Sequence, residues 1–195
     1  MEVTKEVVHA NIFNNGFDTN FTFGANSDGK PLFSASHLNG PFGADGSNLI
    51  TAADLSETTL EDMVIDIMEQ VDPRGLKQAV QPVCLLIPPN LNFVASRVLD
   101  STLQNDTADN AVNVLKLQST LPQGVKVNPY LTDTDAWYVI TDVTTAGEGL
   151  VTFNRWPLRF TMDNDFDTTN MKCKALERFV PGVVNWRGVH GSAGA

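Results

Sequence analysis

Cysteine, histidine and tyrosine are scarce in this sequence, at two, three and two of 195 residues, and each scarcity closes off a chemistry. Cys84 and Cys173 stand far apart, and neither sits in a CxxC or other metal-ligand spacing. Two reduced, buried thiols and a disulfide are both compatible with that spacing. His9, His37 and His190 show no HExxH pairing. The chain also lacks the GxSxG elbow of a serine hydrolase, the GxGxxG turn of a dinucleotide site and the GxxxxGK[ST] phosphate loop. No run approaches eighteen apolar residues, so no membrane-spanning helix is predicted. The opening MEVTKEVVHANIF carries acidic residues and no apolar core, and it does not read as a signal peptide. Basic residues are short as well, 13 against 23 acidic ones. The net charge of −10 disfavours nonspecific adhesion to nucleic acid without excluding a local basic patch.

What is present reads as a folded α+β chain, with 42% hydrophobic and 18% charged residues. Val3, Val7, Ile12 and Phe13 give a short helical pattern that begins without room for an N-cap, compatible with a longer element that has been cut. Residues 20–48 are rich in Gly, Asn, Ser and Asp and read as a long loop or arm. A loop of that length is either functional or held by partners. Leu60, Met63, Val64, Ile67, Met68 and Val71 then recur at steps of three and four, predicting a helix capped by Ser56 and stopped at Asp72-Pro73. The apolar run 83–87, between Pro82 and Pro88, suits a buried strand, and Leu91, Val94, Ala95, Val98, Leu99 and Leu103 suit a second helix. Short strands are predicted at 124–128, 137–140 and 150–153. Leu158, Phe160 and Met162 alternate with polar residues, as do Met171, Cys173 and Ala175, so both segments read as half-buried strands. A last strand is expected over 183–190, followed by a flexible small-residue tail.

Few residues suggest a reaction. Ser36 and His37 are adjacent, but no turn frames a nucleophile, and His37 reads as a structural or interface histidine. Asp163, Asp165 and Asp167 resemble the start of a calcium loop, yet Thr168 and Lys174 stand where glycine and glutamate are required. A solvated hairpin turn is the better reading. Trp137, Trp156 and Trp186 read as core or interlobe packing, and Arg155 and Arg187 beside two of them suit charge pairs or cation-π contacts. No catalytic residue, metal ligand or cofactor is assigned. Interface candidates come from two places. Phe21, Phe23, Leu32, Phe33, His37, Leu38 and Phe42 anchor the long loop against a neighbour or fold back on the chain's own helix. Lys172, Lys174 and Arg178 form a small basic run suited to an electrostatic contact.

An ordered set of motifs runs along nearly the whole chain. Ile12-Phe13-Asn14-Asn15-Gly16-Phe17 is followed by Asp28-Gly29-Lys30-Pro31-Leu32-Phe33-Ser34-Ala35-Ser36-His37 and by Asn48-Leu49. Farther on come Pro82-Val83-Cys84-Leu85-Leu86-Ile87-Pro88-Pro89, Val127-Asn128-Pro129-Tyr130-Leu131, Ala136-Trp137-Tyr138-Val139 and Asn185-Trp186-Arg187-Gly188-Val189-His190-Gly191-Ser192. This series resembles the Mu-like major head protein group of tailed-phage capsid proteins. The resemblance implies the carboxy-terminal portion of a Hong Kong 97-like capsid fold, with peripheral and axial lobes. Residues 1–82 then form part of the peripheral lobe, 83–150 mostly the axial lobe, and 151–195 the strands that return to the peripheral lobe. It further implies an icosahedral head of hexamers and pentamers around double-stranded DNA, built in the bacterial host cytoplasm with scaffolding and portal proteins. No membrane contact and no sequence-specific reading of the DNA are implied.

Two departures accompany the resemblance. The family's amino-terminal arm, extended loop and most of its long helix have no counterpart here, as in a fragment, a processed product or a divergent gene model. His190 stands where tyrosine is expected. The alternatives are a shell subunit of an encapsulin-like nanocompartment, marked by protein cargo in place of a genome, and a small hydrolase. The hydrolase requires His37, an acid and a reactive oxygen to converge in one cleft. A noncapsid binding module is a further alternative.

Overall fold

The computed structural model describes residues 2–19, 29–39, 45–104, 111–164 and 167–195. Helix α1 (Glu2–His9) runs into a π-helical turn over Ala10–Asn14. Helix α2 (Glu57–Met68) starts where the sequence places it. The Ser56 hydroxyl accepts from the Thr59 amide, and the Thr59 hydroxyl accepts from the Ser56 amide. Reciprocal capping of this kind satisfies two amides that the first turn leaves without helical partners. Strand β1 (Pro82–Ile87) is buried at all six positions. Helices α3 (Asn92–Asp100) and α4 (Val114–Leu117) lead to β2 (Val125–Val127). Next come β3 (Trp137–Thr141) and the short α5 (Asp142–Thr145). A long hairpin of β4 (Leu150–Asn164) and β5 (Met171–Val183) follows, and β6 (Val189–Ser192) ends the chain.

Four strands make one sheet in the order β2-β1-β3-β6, with β2 parallel to β1 and the other pairs antiparallel. Because side chains alternate along a strand, the sheet divides two apolar clusters. Leu85, Ile87, Trp137 and Val139 face Leu60, Met63 and Ile67 of α2 and Ala95 and Val98 of α3. Leu86 and Tyr138 face the other way, toward Ile12, Phe13, Leu32, Phe33, Val183 and Val189. Each fully buried aliphatic side chain contributes about 1.5–3 kcal/mol of transfer free energy, so the sheet with its two covers is the stable body of the molecule.

The carboxy-terminal third departs from the sequence reading. β4 and β5 pair only with each other, as a separate two-stranded sheet, and of the six residues expected to be half-buried only Leu158 is. Phe160, Met162 and Met171 are 70%, 68% and 65% exposed. Trp156, expected in core or interlobe packing, is exposed too, whereas Trp137 and Trp186 are buried. The expected strand over 183–190 is broken: Val183 ends β5, Trp186–Gly188 forms one 3-10 turn, and β6 begins at Val189. Gly191 and Ser192, read as flexible tail, are buried beside β3, opposite Tyr138 and Trp137. Cys84 and Cys173 are both free thiols, the first buried and the second exposed.

Candidate assembly surface

The Asn48 side-chain amide ties the described parts of the loop that follows α1 to the segment before β6. Asn48 is fully buried. Its Nδ2 donates to the carbonyls of Leu32 at 2.7 Å and Val189 at 3.1 Å, with a longer 3.3 Å contact to Trp186. Its Oδ1 accepts from the Ser34 amide at 3.0 Å and lies 3.1 Å from His37 Nε2. That nitrogen also lies 3.0 Å from the Leu32 carbonyl, and two acceptors around one ring nitrogen make it the protonated one. The His37 ring stacks on Trp186 at 4.9 Å. Arg187 lies over the other part of this junction, 4.2 Å from the Trp186 ring. Its guanidinium donates to the Val71 carbonyl at 2.8 Å and to Asn39 Oδ1. Burial lowers the Arg187 pKa, an effect opposed by the charge of Asp72. Close by, His190 is buried with no hydrogen-bond partner for either ring nitrogen. Its pKa falls to about 3, through desolvation first and then the charges of Arg187 and His37.

This junction answers several sequence expectations. Leu32 and Phe33 belong to the chain's own second core cluster, with Phe33 packed on Phe17 at 4.7 Å and Tyr138 at 5.1 Å. His37 is buried as well, so all three lie inside the chain and not on a surface open to a neighbour. Of the described loop candidates only Leu38 stands out into solvent, at 59% exposure. Phe21, Phe23 and Phe42 lie outside the described residues. A fully buried His37 ring between an amide, a carbonyl and a tryptophan has no access to a substrate. No group of three or more His, Cys, Asp or Glu is placed to hold a metal ion among the described residues. The only sequence hint of Asn48 was its place in the ordered motifs, since a central amide leaves no periodic trace.

The open surface is the β4–β5 ribbon. Its cross-strand register places Asp163 opposite Lys172, Thr161 opposite Lys174, Arg159 opposite Leu176 and Trp156 opposite Arg178. Opposed residues share a face, so Lys172, Lys174 and Arg178 stand in one row along β5, and all are exposed. The other face of the outer ribbon is apolar, with Met162 opposite Cys173 and Phe160 opposite Ala175. Helix α1 reaches the ribbon at Glu177, which accepts from the Thr4 hydroxyl at 2.8 Å. Alternation in the sequence revealed the two faces but not that most of their side chains are exposed. The base of the ribbon is held by Thr144, whose hydroxyl donates to the Gly188 carbonyl at 2.7 Å and accepts from the Leu150 amide at 3.3 Å.

The comparisons define the class of this fold as that of capsid proteins. The capsid of Myoviridae phage XM1 matches over 100% of this chain and 62% of its own, at 11% identity and a TM-score of 0.54. That likeness is one of fold. Mycobacterium phage Che8 matches at 17% identity and a TM-score of 0.45, over 81% of this chain and 55% of its own. A virus-like particle from Pyrococcus furiosus matches at 10% and 0.43, over 74% and 56%. This chain therefore spans little more than half the length of those structures. No curated protein matches it. The phage capsid protein family matches residues 2–191, and the chain belongs to that family.

Proposed function

We propose that the chain is a structural subunit of a phage head, built on the Hong Kong 97-like plan. The β2-β1-β3-β6 body contributes to the axial lobe, and α1 and the ribbon contribute to the peripheral one. Identical copies assemble as hexamers and pentamers into an icosahedral shell around double-stranded DNA. Scaffolding and portal proteins act as assembly partners in the host cytoplasm, and the finished shell is the virion's. The family membership across residues 2–191 carries this reading. The ribbon supports it, because a two-stranded sheet is marginal in water on its own and an apolar face of this kind marks an interaction surface. Lys172, Lys174, Arg178 and Leu38 are the members of the expected interface that remain open to a neighbour. Leu32, Phe33 and His37 act indirectly, by fixing the loop from within. No helix among the described residues is long and apolar enough to cross a membrane.

Electron microscopy of particles purified with the full gene product tests the proposal. Closed icosahedral shells containing nucleic acid are the expected result. An intact product that stays monomeric overturns it, and shells filled with protein cargo redirect it to a nanocompartment.

A further inference from the structure

We infer that the basic face of the β4–β5 ribbon docks on the acidic outer face of α2 in a second copy of this chain, a contact that rests on the shell-subunit reading above. Charge is unevenly divided along the sequence. Residues 150–183 hold five basic and four acidic side chains, a net +1, which leaves the rest of the chain at −11 against −10 overall. The ribbon is thus the one long element whose charge opposes that of the body. Four of its five cations are also gathered on one side: the row along β5 reads Lys172, Lys174, Leu176, Arg178, and across the hairpin from it stand Asp163, Thr161, Arg159 and Trp156, so one carboxylate shares the face.

Helix α2 offers the complement. Glu57, Glu61, Asp62, Asp66 and Glu69 follow one another with no lysine or arginine between positions 57 and 69. The inner face is spent on the core through Leu60, Met63, Val64 and Ile67. The outer face exposes Asp62, Ile65, Met68 and Glu69. Crowding of this negative charge is visible at Asp66, whose pKa is raised by burial first and by Glu69 second. Lys77 and Arg74 lie beyond the helix end, where the Lys77 ammonium reaches the Glu69 carbonyl. Both faces mix charge with apolar side chains, Ile65 and Met68 on the helix and Leu176 and Trp156 on the ribbon, so the contact removes apolar surface from water as it pairs charges. The dimensions agree. Lys172 to Arg178 spans roughly 20 Å of strand at about 3.3 Å per residue, and Glu57 to Glu69 spans roughly 18 Å of helix at about 1.5 Å per residue. Every copy carries both surfaces in different places, so the contact is head-to-tail. Repetition of such a contact closes a ring or extends a filament.

Charge exchange in the full chain tests this, read by sedimentation velocity at about 20 mM and about 0.5 M salt, which bracket weak and strong screening. The four proteins are the parent, Lys172→Glu/Lys174→Glu, Asp62→Lys/Glu69→Lys, and a chain with all four changes. All substituted side chains are exposed, and matching urea midpoints establish that folding is unchanged. The parent is expected to self-associate at low salt and to weaken at high salt. Either pair alone weakens the association by about tenfold or more, and the four-change chain regains it, since several exposed pairs acting together are required for a measurable effect. The inference is overturned if the parent stays monomeric, if one reversed face associates like the parent, or if the four-change chain is no tighter than the weaker pair. Shells that survive the reversals leave the shell reading in place and end this one. Charge-dependent association that never closes into shells does the opposite.

Discussion

Among single residues, His190 is the most exposed to a change of conditions, although it is the most hidden from solvent. It occupies β6 opposite Val139, inside the central sheet, without a partner for either nitrogen. Protonating it there means burying a charge away from water, and beside Arg187, so the folded chain holds its pKa at about 3 against the usual 6.5. The unfolded chain takes up that proton near 6.5. Its contribution to stability is therefore fully present above pH 6.5 and is lost progressively as pH falls toward 3. The slope approaches about 1.4 kcal/mol per pH unit, which amounts to about 2 kcal/mol between pH 7 and pH 5. We expect His190→Leu, close in volume and unable to titrate, to lose that part of the acid sensitivity. Urea unfolding at pH 7 and pH 5 measures it. Equal losses in the parent and the variant would show that the acid response belongs to other groups.

Elements were legible in the sequence wherever their own residues declared both a period and a covered face. The step of three and four in α2, with Ser56 before it, specified that helix and its buried side together. The apolar run between prolines specified β1. The ribbon was legible as two alternating strands, but alternation says which residues share a face and not whether anything lies upon it. Burial depends on a partner, and the partner is not encoded within the element. The described loop candidates divide: Leu38 is exposed, while Leu32, Phe33 and His37 are buried. Leu32 and Phe33 look like anchors for a neighbour because a Gly- and Asn-rich stretch surrounds them, yet they are swallowed by the chain's own sheet through the contacts of Asn48. Lys172, Lys174 and Arg178, read as a basic run suited to an electrostatic contact, are exposed because a charged row on a narrow ribbon has no core to enter.

The attachment of the ribbon depends on glycine at one crossing. A Cβ built on Gly188 would lie 2.7 Å from the Gly149 Cα, and one built on Gly149 would lie 2.9 Å from the Gly188 Cα, so the two backbones touch where β4 begins. The Thr144 hydroxyl that holds the ribbon base lies nearer still to both positions, and the two backbones behind it cannot swing aside. Gly188→Ala is expected to cost about 1–3 kcal/mol, as overpacking of a tight contact does. It should lower the urea midpoint at an unchanged slope. A variant as stable as the parent would mean that the ribbon base yields, and with it the fixed direction of the ribbon.

At the scale of the whole molecule, the exposed apolar side chains among the described residues include Phe160, Met162 and Met171 on one side of the ribbon, and on the proposed reading as a shell subunit that side is surface for a neighbour to cover. Cys173 reports on that side directly, since it faces solvent opposite Met162 and next to Ala175. The chain's other thiol supplies the internal reference. Cys84 is buried in β1, and burial raises its pKa against the smaller opposing influence of Lys126, so both access and thiolate character protect it. Brief treatment of the unassembled chain with iodoacetamide should add one carboxamidomethyl group, at Cys173, by intact mass and peptide mapping. In closed particles the same treatment should leave Cys173 largely unmodified, because a Phe160, Met162 and Met171 surface that stays wet in the finished shell would keep its cost without any compensating contact. Equal labelling of Cys173 in free chain and particle would place the subunit contacts elsewhere and leave the ribbon's apolar side without an assembly role.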